Sequence, residues 1–302
     1  MITVFGSLNA DLVCQVEQLP APGETVTGPG YTVVPGGKGA NQALAAALAG
    51  AAVRMVGAVG PDAFAEAALG SLRNGGVILS GVAQSPKRTA CAFIGVDGQG
   101  ENQIIVASGA NLDTKAAQLE ALDLGPGDVV LLQMEVTHSE NWRAVEIAKA
   151  AGARVVLNLA PAGALPPEVL RQIDVLVVNE TEARQLAAQL GLGEDEPEAI
   201  GEKLAADFVA HCIVTLGAAG VASYGAAGRH RLPAFTVEVV DTTAAGDAFV
   251  GGFAAAWEAG EEMADCLAQG VIAGGLACRK LGAQSSLPSG EEIAAALRDY
   301  RV

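Results

Sequence analysis

V-V-D-T-T-A-A-G-D-A-F-V-G-G-F-A-A-A-W, Val239 to Trp257, joins a β-branched run to an Ala-rich apolar segment across one acidic residue, two threonines and an Ala-Ala-Gly step. The run Phe235 to Val240 predicts a strand, and the segment beyond Gly246 predicts a helix. At such a junction the first N–H groups of the helix lack intrahelical partners and carry the positive end of its dipole, which favours an anion. Ala244, Ala245 and Gly246 have no bulk that would hold a phosphate or an oxyanion away. Asp247 falls in the first turn, where its carboxylate can accept a proton from a hydroxyl lying over those N–H groups. A base beside an anion cradle is what phosphoryl transfer to an alcohol requires. The same aspartate also suits plain capping or dipole stabilisation, and the junction alone does not choose between them.

Upstream of this stretch, from Asp113 on, strands and helices alternate. Strands are expected at Val129 to Met134, Val155 to Leu159, Val175 to Val178 and Cys212 to Leu216, and helices at Glu140 to Ala151, Glu182 to Gly191 and Glu198 to Val209. This is the pattern of a parallel sheet covered on both faces, whose ligands bind beyond the carboxyl ends of the strands. Glu135, Asn158, Asn179, Glu182, Thr215 and Asp241 fall at those ends, so they converge in space although far apart in sequence. T-L-G-A-A-G, Thr215 to Gly220, is a glycine turn between short strands. Met263 to Arg279 and the segment from Glu291 read as the last helices.

At the other end of the chain, Ile2 to Phe5 reads as a buried strand, with Asn9 and Asp11 emerging past it. An amide and a carboxylate so closely spaced can hydrogen-bond a polyol, and a local Asx turn is the competing reading. P-G-G-K-G-A-N-Q-A-L, Pro35 to Leu44, then runs a glycine-rich loop into an Ala/Leu helix, a second place for an anion. Its K-G is not followed by Ser or Thr, so it is no P-loop, and the absence of a complete G-x-G-x-x-G removes the main support for a dinucleotide site. The runs near Leu12 and Tyr31, with Thr89 to Val96 and Gln103 to Ala107 joined by a turn at Gly98 to Glu101, predict a small separate sheet lying as a lid over the main domain. One domain over residues 1–302 is expected, with lid strands near 10–18, 30–35 and 89–107. A small sheet with an apolar face needs a partner surface, which predicts a homodimer through the lid.

The 302 residues are 51% hydrophobic and include 38 glycines, a composition that suits a compact globular enzyme and excludes disorder as the main state. A net charge of -16 argues against nucleic acid and anionic membrane surfaces as partners. A small anion is still allowed, because local N–H groups and a lysine can overcome the global field. The five cysteines show no C-x-x-C, and the three histidines lack metal-ligand spacing. M-I-T-V-F-G-S has no basic or apolar leader pattern, and no run approaches the roughly 18 apolar residues of a membrane span. These features predict a cytoplasmic protein with reduced thiols.

N-A-D (Asn9 to Asp11), P-G-E-T-V-T-G (Pro22 to Gly28), G-G-K-G-A-N-Q-A (Gly36 to Ala43), G-E-N (Gly100 to Asn102), N-E-T-E (Asn179 to Glu182), T-L-G-x-x-G and D-T-x-A-A-G-D (Asp241 to Asp247) occur in order across nearly the whole chain. Together they resemble the ribokinase family of carbohydrate and nucleoside kinases. The resemblance implies a ribokinase-like three-layer α/β/α sandwich with a mostly parallel central sheet and a small β-sheet lid. It implies ATP-dependent phosphorylation of D-ribose at the 5-hydroxyl. Deoxyribose, fructose or a nucleoside are the alternative acceptors, and a non-catalytic sugar-binding regulator is the alternative class.

By this resemblance Asp247 would be the general base, and Ala244, Ala245 and Gly246 would form the anion hole. Asn9, Asp11, Gly37, Lys38, Gly39, Ala40, Asn41 and Glu135 would hold the sugar together with Asp247. Asn179 and the turn Thr215, Leu216, Gly217, Ala218, Ala219 and Gly220 would meet the nucleotide, beside Gly246 and Asp247. Glu182 would reach Mg²⁺ through water, and Asp241, Thr243, Ala277, Lys280, Gly282 and Ser286 would hold K⁺, several through carbonyls. Two positions depart from the family's pattern. Thr243 stands where an aliphatic residue is common, and Val271 where a histidine near the adenine is frequent.

Overall fold

The computed structural model describes residues 1–300. In chain order the first part contains β1 (Ile2–Phe5), β2 (Asn9–Gln15), β3 (Tyr31–Gly36), α1 (Lys38–Leu48), β4 (Val53–Val59), α2 (Ala63–Asn74), β5 (Ile78–Gln84), β6 (Ala90–Val96) and β7 (Asn102–Ala107). The middle contains α3 (Ala117–Glu120), β8 (Val129–Leu132), α4 (His138–Ala150), β9 (Arg154–Asn158), α5 (Pro167–Leu170), β10 (Val175–Asn179), α6 (Glu180–Leu190) and α7 (Pro197–Asp207). The last part contains β11 (His211–Thr215), β12 (Val221–Gly225), β13 (Gly228–Leu232), α8 (Ala245–Ala259), α9 (Met263–Ala277) and α10 (Gly290–Asp299).

Nine strands form one sheet in the order β13-β12-β11-β10-β9-β8-β1-β4-β5. Strands β11 through β5 in that order run parallel, and β12 and β13 are antiparallel additions at one edge. Successive side chains of a strand point to opposite faces, so each β-rich run feeds two cores. Val129 and Leu131 of β8 join Ile2, Val4, Ala43, Leu44, Phe253 and Ile272 under α1, α2, α8, α9 and α10. Val130 and Leu132 join Phe5, Val145, Leu186 and Leu204 under α4, α6 and α7. Both faces are covered, as a parallel sheet requires.

Chain order reverses at the β1/β8 contact: from β1 the chain builds outward to β4 and β5, then returns to β8 and builds the other way. The crevice beyond the carboxyl ends of two such strands is where open α/β sheets bind ligands. A second sheet, in the order β3-β2-β6-β7, contains the parallel pair β2/β6 between two antiparallel pairs.

The structure differs from the sequence expectation in two places that matter for the site. Asn9 and Asp11 lie within β2, on one face of the second sheet, instead of following a strand end. The strand expected over Phe235 to Val240 does not form. The N–H groups of Val240 and Asp241 both donate to the Cys278 carbonyl oxygen, at 2.8 and 3.2 Å, and Phe235 packs against Gly275 of α9. β-branched residues make a strand only where a neighbouring strand receives their backbone, and here a helix end receives it.

Candidate active site

β1 leads into Gly6-Ser7 and β8 into the loop that holds Glu135, which places both segments at the reversal point. The Ser7 hydroxyl donates to Glu135 Oε2 at 2.6 Å, and the N–H groups of Lys38 and Gly39 donate to Glu135 Oε2 (2.9 Å) and Ser7 Oγ (3.1 Å). Ala40 N–H donates to the Ser7 carbonyl oxygen at 3.0 Å. The start of α1 is therefore occupied by the protein's own carboxylate and serine, so the anion at this second helix start is Glu135. Gly39 permits this closeness: a Cβ at that position would stand 2.5 Å from Ser7 N and 2.8 Å from Gly6 C.

The start of α8 is arranged differently. It has no side-chain cap, and among the described residues the N–H groups of Gly246 and Asp247 meet no acceptor. A Cβ on Gly246 would find nothing within 4 Å. The two helices are locked together by Gly251 of α8, where a Cβ would stand 2.8 Å from Ala46 N of α1. That contact delivers α1's side chains to Asp247, which is only 6% exposed. Asn41 Nδ2 donates to Asp247 Oδ2 at 2.8 Å, and Gln42 Nε2 donates to Asp247 Oδ1 at 2.9 Å. Residues more than 200 positions apart in sequence thus share one pocket.

Around this carboxylate the electrostatics converge. Burial opposes the charge of Lys38, but Asp247, Glu135 and Glu182 outweigh it and raise the lysine's pKa. Asp11 lies within reach of the Glu135 charge, and burial, with Glu135 adding to it, pushes its carboxyl up to about 7. Its Oδ1 is buried without a hydrogen-bond partner, an acceptor left over for a ligand hydroxyl. Asn9 Oδ1 is held by Asn111 Nδ2 at 2.8 Å, and Asn111 Oδ1 accepts the Leu8 N–H at 3.0 Å.

Of the segments expected to meet a nucleotide, Asn179 and Glu182 form a capping box at the start of α6: Asn179 N–H donates to Glu182 Oε2, and Glu182 N–H to Asn179 Oδ1, each at 2.8 Å. Burial raises the Glu182 pKa, against the Asn179 N–H and Lys38, which lower it. Gly217 to Ala219 make an exposed turn after β11, and Leu216 N–H closes it on the Gly220 carbonyl oxygen at 2.8 Å. Asp241 ties two loops together, accepting N–H groups from Thr243 (2.9 Å) and Gly282 (2.8 Å). Burial opposes the charge, but the Thr243 hydroxyl, which also donates to Asp241 Oδ1, together with these two N–H groups lowers its pKa. Ala277 ends α9, Lys280 pairs with Glu292 at 3.2 Å, and the Ser286 hydroxyl donates to the Ala283 carbonyl oxygen at 2.8 Å. Val271 is buried within α9. Among the described residues no three His, Cys, Asp or Glu side chains converge as a metal site.

Sequence reasoning passed over Ser7, Gln42, Asn111, Gln133 and Gln284. Ser7 and Gln42 adjoin segments already singled out, and a buried amide following a glycine-rich loop was a usable signal. The other three act through contacts that no local pattern displays.

The sequence matches the model of the pfkB family carbohydrate kinases over residues 1–290, and the chain belongs to that family. It is 37% identical over 298 residues to the ribokinase of Haemophilus influenzae, with 96% of each chain covered. The solved ribokinase of Thermotoga maritima is 35% identical and aligns with a TM-score of 0.89 over 99% of both chains. An Arabidopsis thaliana ribokinase, solved with ribose and ATP, gives 0.87 at 29% identity over 98% of both.

Proposed function

We propose that this chain transfers the γ-phosphoryl group of ATP to the 5-hydroxyl of D-ribose. The observation that carries the reading is the buried Asp247 carboxylate, held from α1 at 2.8 and 2.9 Å beside the two open N–H groups of Gly246 and Asp247. Asp247 takes the proton of the attacking hydroxyl. As the new O–P bond forms, the bond from the γ-phosphorus to the bridging oxygen breaks and ADP leaves with that electron pair. The N–H groups at the start of α8, with Ala244 and Ala245 leaving room, stabilise the charge of the transferring group. Asn9 and Asp11 hold the ring hydroxyls, supported by the unpartnered Asp11 Oδ1. Lys38 balances the carboxylates around it. A lid built on β2, β3, β6 and β7 excludes water and limits wasteful hydrolysis.

Mg²⁺ would arrive on the nucleotide phosphates, and Glu182 would reach it through water. The loops joined by Asp241 offer carboxylate, hydroxyl and carbonyl oxygens, a hard donor set that suits K⁺. Both ions would lower the cost of gathering negative charge at the site.

The outer face of the lid supports a homodimer. Tyr31, Val33, Phe93 and Ile105 are exposed there, around an apolar hollow of about 790 Å³ that a second copy would cover. Five free cysteines, four of them buried, support a reducing cytoplasmic setting. The deciding experiment is a panel of ribose, deoxyribose, fructose and nucleosides with coupled ADP detection, with and without K⁺. Ribose-dependent ADP release that K⁺ stimulates is expected; ribose binding without ADP release on any acceptor would overturn the reading.

A further inference from the structure

We propose that Gln42 is a positioning residue that sets the orientation of the Asp247 carboxylate, as the inner link of a buried chain of amides. The inference rests on Asp247 as the base. Gln42 Nε2 donates to Asp247 Oδ1 and to Asn158 Oδ1, both at 2.9 Å, while Gln42 Oε1 accepts from Gln133 Nε2 at 2.7 Å. On the other side Gln284 Nε2 donates to Asn41 Oδ1 at 3.1 Å, and Asn41 Nδ2 donates to Asp247 Oδ2 at 2.8 Å. The amides of this chain are all buried.

Chemistry fixes the direction of every link. An ionised carboxylate only accepts, so Asn41 and Gln42 must each turn an NH₂ group toward Asp247. Their carbonyl oxygens then face outward and can only be met by the NH₂ groups of Gln284 and Gln133. The remainder of that alignment is visible at the two ends, where Gln133 Oε1 and Gln284 Oε1 are buried without partners. Donors are directed inward onto one charge, and the unsatisfied acceptors are displaced to the ends, where they disturb it least.

The two arms are anchored differently. Asn41 is held from the short turn Gln284–Ser286. Gln42 is held from the main sheet, because Asn158 ends β9 and its Nδ2 donates to the Val177 carbonyl oxygen of β10 at 3.3 Å. Gln42 therefore references the carboxylate to the central sheet. The near-attack geometry that a base needs is sensitive to shifts on the scale of an ångström.

The test compares Gln42→Met, Gln133→Met and Asp247→Asn in the full chain with ribose and Mg·ATP. Gln42→Met should lower kcat about 10- to 100-fold, as loss of an orienting partner does, and leave both KM values within about threefold. Gln133→Met, one link further out, should lower kcat less, with the same unchanged KM values, and it serves if Gln42→Met does not fold. Adding Gln42→Met to Asp247→Asn should cost nothing further, since the group being oriented is gone. Wild-type kcat in folded Gln42→Met, a raised KM at unchanged kcat, or full additivity with Asp247→Asn each overturns the proposal. Near-normal turnover of Asp247→Asn instead overturns the base assignment beneath it.

Discussion

Two helices of this protein begin after glycine- and alanine-rich loops, and their first turns have opposite contents. At α1 the N–H groups of Lys38, Gly39 and Ala40 are met by Glu135 and Ser7, and Gly39 lies against the end of β1. At α8 the N–H groups of Gly246 and Asp247 are open, and the space around Gly246 is empty out to 4 Å. Both positions attract negative charge for the same reason. The first has already been given an internal carboxylate and serves as a keystone, fixing Lys38, Asn41 and Gln42. The second is open, and in the proposed reaction the transferring group meets it. A glycine-rich helix start is thus ambiguous until the partners of its N–H groups are known.

Mutations at the two starts should separate activity from stability. The largest effect is expected for Asp247→Asn, which keeps the shape of the α8 turn but removes the proposed base; kcat should fall about 10²- to 10⁴-fold, with an unchanged far-UV spectrum. Next comes Gly246→Ala. Its methyl meets nothing in the fold, so Tm should hold, while turnover should fall about tenfold or more because the methyl stands beside the two open donors, as removing access to such donors does. Gly39→Ala should behave in the reverse sense. Its Cβ would collide with the Ser7 and Gly6 backbone, costing about 1–3 kcal/mol of stability, read as a lower urea midpoint. Equal stability losses for the two glycine variants would break the distinction.

The smallest effect concerns pH and Asp11. Its folded pKa is raised to about 7, above that of the unfolded chain, so the native state retains a proton that the unfolded state has lost between about pH 4 and 7. Asp11's contribution to stability is therefore full at low pH and is lost as pH rises through 7, and Asp11→Asn should flatten that slope. In the proposed binding mode ribose hydroxyls donate to the ionised carboxylate, so binding should release protons near pH 6.5 and tighten as pH rises through 7. Calorimetry in buffers of different ionisation enthalpy measures the release. A proton count of zero in the wild type would remove Asp11 from sugar recognition.

Much of this was legible in the sequence where the determinants are local. The α8 start and Asp247 fall within a few residues of one another, and the alternation of β-rich and Ala-rich runs from Val129 to Thr215 marks the parallel sheet. Legibility ended where partners are distant. Phe235 to Val240 has the composition of a strand but no strand beside it, and β13, Gly-Arg-His-Arg-Leu, is a strand without strand composition because an edge strand can face water. Glu135 is legible as a residue beyond the carboxyl end of a strand, though β8 stops at Leu132, and its bond to the Lys38 N–H depends on β1 and β8 being neighbours. The amide chain was invisible, since Gln133 and Gln284 acquire a role only after the reversal point brings α1 and α8 together.

The most direct measurement is a crystal structure with ribose, ADP, Mg²⁺ and aluminium fluoride, whose fluorides occupy the positions of the transferring phosphoryl oxygens. Fluorides within hydrogen-bond distance of the Gly246 and Asp247 N–H groups, the ribose 5-hydroxyl on Asp247, and the Lys38 and Gly39 N–H groups still on Glu135 and Ser7 are expected. Fluoride bound instead at the start of α1, with Glu135 displaced, would contradict the account.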